Sequence, residues 1–294
     1  ILPRGSTTVL SQGDAGPLTW DDYLRQIIYG SRIRIRMAIS PASYGESTEE
    51  AVFQNLEDIN VDASVKVIET GEEHIWGIAV NLSSAATGST DAREIMHRTM
   101  IIAERANCPI LFGPRRDPFD WPLAEQLDLL RPGDVVTYCF HRDGRLLGNN
   151  GRIMDGVQRA RDRGVLFDVG HGMASFDFGV AETAVAQGFL PDTISTDVYK
   201  RHLGINPTHD MPLMVSKLIA AGISEREAFT RGTATAARAL DLAGEVGTLA
   251  PGASADVAVL HWNPESGLLA DVNGVTRRGG RWEPVLTIRG GQVV

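Results

Sequence analysis

One pattern constrains the fold of this chain more than any other: short β-branched, apolar runs alternate with amphipathic stretches of helical period. The strand-like runs lie at 7–11, 33–39, 76–82, 110–112, 135–140, 165–169 and 193–197. Helix-like stretches at 20–29, 91–106, 123–130, 153–163 and 179–187 separate many of them. Alternation of this kind predicts βαβ units and a parallel sheet covered on both faces. Thr19 and Ser89-Thr90-Asp91 offer oxygens for helix starts, and Gly164 and Gly188 stand where helices must stop before the next strand. Residues 1–9 read as the tail of a loop entering a strand, so the pattern begins in mid-fold.

After Ser224 the pattern changes. Residues 225–243 read as helical, and the short runs at 256–261, 285–289 and 292–294 read as strands punctuated by glycine. These strands are too short to bury a core alone. The chain therefore divides into an α/β part, 1–243, and a small β part, 244–294. With 294 residues there is room for one large α/β domain and such an appendage.

Net charge decides against one class of partner. Asp and Glu outnumber Lys and Arg, 37 to 28, and no basic run exceeds a pair, which disfavours nucleic acid. No apolar stretch approaches the ~20 residues that span a bilayer, and no secretory signal pattern opens the chain, although Ile1 is not an initiating methionine. Cys108 and Cys139 form no metal or redox motif, so a reduced, cytoplasmic setting is the expectation.

Titratable residues fall at the ends of the last two strand-like runs: His171 in Gly170-His171-Gly172, after 165–169, and Asp197, which closes 193–197. Parallel sheets place their chemistry at the carboxyl ends of strands. Asp197 is a candidate site residue on that ground; a capping or ion-paired carboxylate is the plain alternative. His171 suits proton transfer or substrate orientation; a ring hydrogen-bonded internally is the alternative. Arg115 and Arg116, after 110–112, suit a substrate carboxylate. Tyr199, Lys200, Arg201 and His202 follow Asp197 in one loop, and His209-Asp210 is a weaker pair. His141-Arg142-Asp143 mimics a kinase loop, but no glycine-rich phosphate loop accompanies it.

The sequence resembles the amidohydrolase superfamily, in its dihydroorotase-like deacetylase branch. The matching segments are GSTTV at 5–9, GDVVT at 133–137, RGVLFDVGHG at 163–172, GFLPDTISTD at 188–197 and GTLAPGASAD at 247–256. The resemblance implies a (β/α)8 barrel, strands 2–8 of which lie within 1–243, and a β-sandwich whose C-terminal part is 244–294. It also implies that a sandwich half and a first strand with a His-x-His pair precede Ile1. Family members hold one or two divalent metals with that pair, a strand-4 lysine or acid, histidines on strands 5 and 6, and a strand-8 aspartate. Asp197 matches the last of these. Ala79, the Phe112-Gly113 pair and Tyr138 stand at the strand-4, strand-5 and strand-6 positions, and no His-x-His occurs in the chain. Tyr138 becomes a candidate substrate contact, as do Tyr199, Arg115 and Arg116. His171 matches a strand-7 histidine near the site.

The resemblance implies a hydrolase of a small amide, ester or cyclic imide, with one zinc, manganese or iron bound through Asp197, or with no metal. The substituted positions also suit a metal-independent isomerase, lyase or cyclase, or a non-catalytic homologue. A small-molecule substrate is the expected partner; a homo-oligomer or a separate N-terminal polypeptide is a further expectation.

Overall fold

The first five strand-like runs pair side by side in sequence order. A computed structural model describes residues 1–47, 51–71 and 73–294. It comprises two units, Thr8–Thr137 with Ala160–Val165, and Ile1–Thr7 with Tyr138–Arg159 and Leu166–Val294. In the first unit β1 (Thr8–Gln12), β2 (Arg34–Ile39), β3 (Ile75–Asn81), β4 (Ile110–Gly113) and β5 (Val135–Val136) form consecutive parallel pairs. Residues Ile75 to Val80 of β3 are all buried, as a strand covered on both faces requires. Helices Val61–Thr70, Ala92–Arg105 and Leu123–Asp128 lie between the strands. Helix Ala92–Arg105 starts where Asp91 accepts a bond from the Arg93 amide at 2.9 Å, and it buries Ile95, Met96 and Ile102 completely. Residues 20–29, expected as one helix, form an α-turn, Trp20–Tyr23, that widens into a π-helical stretch, Leu24–Ile28.

Asp134 fixes the start of two strands at once. Its carboxylate, 1% exposed, accepts from the amides of Ile110 and Arg131, each at 2.8 Å, and pairs with the Arg131 guanidinium. β5 is shorter than the 135–140 run. Thr137 still donates to Phe112 O, but Tyr138 takes a left-handed backbone with φ 65° and leaves the extended conformation.

The second unit begins at that turn. Here β6 (Leu166–Phe167) is followed by Asp168, which forms a parallel bridge with Thr193. The run 193–197 is not a regular strand. It follows 169–172 through single backbone bonds, Val169 N to Thr193 O, His171 N to Ser195 O and Gly172 N to Thr196 O. Helix Phe178–Ala186 is capped by Asp177 and helix Met211–Ala220 by Asp210. The stretch 225–243 forms two helices, Glu225–Gly232 and Ala234–Ala239, broken at Thr233, whose φ and ψ of −130° and −91° are not helical.

The C-terminal strands are β7 (Val257–Asn263), β8 (Leu268–Ala270), β9 (Thr276–Arg278), β10 (Arg281–Arg289) and β11 (Gln292–Val293). β10 pairs antiparallel with β7 and β11, and β8 with β9. The Trp282 amide donates to Ser216 Oγ at 2.9 Å, tying β10 to helix Met211–Ala220. Among the described residues, no helix is long and apolar enough to cross a membrane.

Candidate active site

Two adjacent chain segments of the second unit, after β6 and after Thr193, carry the residues that the sequence marks. Asp168 locks them together. Its carboxylate, 4% exposed, accepts from Thr193 Oγ1 at 2.7 Å and Ser195 Oγ at 2.6 Å, and Ser195 Oγ accepts from the Gly170 amide. Beyond this lock both segments turn out of the extended conformation: Gly170, Gly172 and Asp197 have φ of 50°, 48° and 47°. A left-handed aspartate is uncommon, and such conformations gather at functional sites. Asp197 comes to rest against Gly172. A Cβ at Gly172 would lie 2.4 Å from Asp197 Oδ2, so only glycine leaves room for that carboxylate.

His171, 3% exposed, is held from both sides of its ring. Nδ1 lies 2.8 Å from Gly172 O, and Nε2 lies 2.9 Å from Lys217 Nζ. A carbonyl oxygen only accepts, so the proton sits on Nδ1, and Nε2 accepts from the lysine. Burial first, and the Lys217 charge second, push the imidazole well below its ordinary pKa, so the ring is neutral. Phe176 stacks on it with centroids 4.9 Å apart. Lys217 itself is lowered to about 8, chiefly by burial and against the pull of Asp271.

Two more histidines continue the cluster. His209 Nε2 donates to Thr196 O at 2.7 Å, the carbonyl that also receives Gly172 N. Its ring meets His171 edge-on at 5.2 Å and stacks on His202 at 4.1 Å. Burial lowers His209 to about 4. His202 Nδ1 accepts from the Tyr199 amide, while its Nε2 is buried with no hydrogen-bond partner. Burial moves this ring down as well.

The structure thus brings together His171 and Asp197, and adds Lys217 and His209 around them. Tyr199 packs on His202 with centroids 4.4 Å apart, and its hydroxyl accepts from Arg201. Tyr138 is 7% exposed and opens the same unit at its left-handed turn. Arg115 and Arg116 belong to the other unit. The Arg115 guanidinium is engaged within that unit, bidentate on Asp120 of its own loop at 2.7 and 3.0 Å and bonded to Thr87 Oγ1 at 3.1 Å. Arg116 is half-buried.

Lys217 went unnoticed in the sequence because it lies inside an apolar helix. Residues 212–218 are all buried. A lone lysine on the Leu213–Leu218 face of MPLMVSKLIA is the signal that would have found it, since lysine is almost never fully buried without a partner.

The metal that the resemblance implies can be tested against these donors. Among the described residues, no three His, Cys, Asp or Glu gather to hold an ion. Nδ1 of His171 carries a proton bonded to Gly172 O, its Nε2 faces the Lys217 amine, and His209 Nε2 carries a proton bonded to Thr196 O. A cation at His171 would have to displace the lysine that already occupies its lone pair. As bonded here, His171 and His209 offer a cation no free lone pair and do not fit a metal centre.

No family profile matches the chain. A deacetylase of Agrobacterium fabrum is 30% identical over 298 residues, covering 99% of this chain and 71% of that protein. A solved adenine deaminase superposes over 100% of this chain and 79% of its own, with a TM-score of 0.88 and 26% identity. A solved dihydroorotase does so over 100% and 78%, with a TM-score of 0.85 and 28% identity. The fold is that of the amidohydrolases, mixed α/β with a parallel sheet. The chain belongs to the deacetylase and dihydroorotase-like branch of the amidohydrolase superfamily.

Proposed function

We propose that the chain is a hydrolase of a small amide, ester or cyclic imide, built on strands 2–8 of a (β/α)8 barrel with the C-terminal part of a β-sandwich, and that Asp197 is its general base. One observation carries the reading: a left-handed Asp197 whose carboxylate rests on a glycine that leaves room for it. Deacetylase relatives, and a dihydroorotase of similar fold, support an acyl or cyclic amide as substrate class. The two free cysteines, both buried, suit a cytoplasmic setting.

In this reading Asp197 takes a proton from water as the water oxygen bonds to the substrate carbonyl carbon. The tetrahedral adduct then loses its nitrogen or oxygen leaving group, which receives the proton back from Asp197. Tyr138 and Tyr199 serve the substrate side. Neutral His171 adds no charge beside the base, and its ring nitrogens serve the protein rather than the substrate. No step runs through a metal. The donor set also favours a second reading, metal-independent proton transfer such as isomerisation; incorporation of 18O from labelled water into product separates the two.

The test is a panel of N-acyl amines, esters and cyclic imides, assayed after exhaustive chelation. Asp197→Asn should lower kcat by ~10²-fold or more, the range general bases supply. Equal turnover by wild type and D197N would remove Asp197 as base.

A further inference from the structure

The hydrolase reading leaves Lys217 without a task, although burying a lysine amine is costly unless something is gained. Its surroundings define what that is. Nζ donates to His171 Nε2 at 2.9 Å, and Nδ1 of the same ring donates to Gly172 O at 2.8 Å. Gly172 is the residue on which the Asp197 carboxylate rests, and its amide bonds to Thr196 O, one peptide before Asp197. A continuous set of contacts therefore runs from a wholly buried stretch of helix to the turn that seats the base.

We propose that Lys217 is a positioning residue: it fixes His171 as the Nδ1–H tautomer, and the ring in turn holds the Gly170–Gly172 turn under Asp197. With a donor on Nε2, only Nδ1 can carry the proton of a neutral ring, and only that tautomer can bond the Gly172 carbonyl. Without Lys217 only the Gly172 carbonyl selects the Nδ1–H tautomer, so the Nε2–H form gains ground, and in that form Gly172 O has no donor. The turn then loses one of the ties that orient Asp197, while its bonds to Ser195 and Thr196 remain. Phe176, stacked on the ring, sets its plane but supplies no hydrogen bond.

The inference rests on the hydrolase reading for its catalytic consequence, but its structural part is measured separately. Long-range 1H–15N spectra of histidine-labelled protein, with His171→Gln used for assignment, report the tautomer directly. Wild type should show His171 protonated at Nδ1, with Nε2 bare and shifted by a hydrogen bond. Lys217→Met should move the Nε2 resonance or convert the ring to the other tautomer, and Lys217→Arg, which keeps a donor, should retain the wild-type pattern. A wild-type ring protonated at Nε2, or identical His171 signals in K217M and wild type, would overturn the proposal. Should K217M not fold, the wild-type and K217R spectra decide by the same criteria.

On any substrate the protein hydrolyses, K217M should lower kcat by on the order of 10²-fold with KM nearly unchanged, since a misplaced base costs about that much, and K217R should recover part of the loss. A raised KM with kcat intact would also overturn it. If no substrate is turned over, or D197N matches wild type, the hydrolase reading fails while the ring signature still stands or falls by itself.

Discussion

Each histidine of the cluster is kept neutral by burial, and that has a consequence for stability. His209 is lowered to about 4 from an ordinary 6.5, first by burial and then by neighbouring His202 and Lys217, while its bond to Thr196 O acts the other way. Its folded pKa lies below its unfolded value. As pH falls through about 6.5 the unfolded chain takes up a proton first, so the folded state loses ground from there down to about pH 4. His171 is shifted in the same direction and adds to the effect. Urea midpoints should therefore drop between pH 7 and pH 4.5 more steeply in wild type than in His209→Gln, which does not titrate. Parallel pH profiles for the two proteins would show that His209 does not resist its proton.

At this scale the adjacency of two candidate residues was legible, and the reason is chemical. Asp197 and His171 stand at strand ends within recognisable segments, where a titratable side chain is conspicuous. His202 and His209 were visible as loop residues, but their stacking on one another depends on packing that no local spacing encodes. Arg115 shows the converse case. Its position after β4 suits a substrate anion, yet Asp120, five residues on, holds its guanidinium by two bonds.

Among elements, the parallel strands of the first unit were readable from their apolar, β-branched content, and β3 and β4, buried on both faces, tolerate little else. What sequence could not give was where the ladders end. The runs 135–140 and 193–197 look like strands throughout, but left-handed turns at Tyr138 and Asp197 end extended backbone in each. The β8–β9 hairpin, whose strands are three residues each, carries too little alternation to stand out. Helix Met211–Ala220 is the element on which the site depends most, because it delivers Lys217. Its N-cap, Asp210, accepts from the Leu213 amide at 2.9 Å and pairs with Arg281 at 3.3 Å, with 5% exposure. Burial raises the Asp210 pKa against both partners, so the carboxylate depends on them to remain charged. Asp210→Ala removes the cap and leaves Arg281 facing an apolar methyl; chemical denaturation should show a loss of about 3 kcal/mol. Asp210→Asn keeps an acceptor for Leu213 and should lose less. A D210A loss within a few tenths of a kcal/mol of zero would mean that the pair is not formed in solution.

The whole chain reads as an α/β body followed by a short β segment, yet the second unit gathers residues from both sides of position 243. Arg281 neutralises Asp210, the Trp282 amide bonds Ser216 Oγ, and Asp271 accepts from the Phe178 amide at 3.0 Å. Glu182 pairs with Arg277, and Asn273 bonds Asp177 at 2.9 Å. A small apolar cluster joins Ala237 and Leu242 to Val246. Residues 244–294 are thus too short to stand alone, and also supply partners to polar groups buried in the earlier helices. Unpaired buried groups each cost about 1–3 kcal/mol, so losing several at once exceeds the margin of an ordinary domain. A fragment of residues 1–243 should therefore keep helical far-UV circular dichroism but bind an apolar dye and melt without a cooperative transition. Adding residues 244–294 as a separate peptide should restore cooperativity if those contacts are what is missing. A fragment that melts sharply by itself, at the temperature of the intact chain, would show that the α/β body is stable without them.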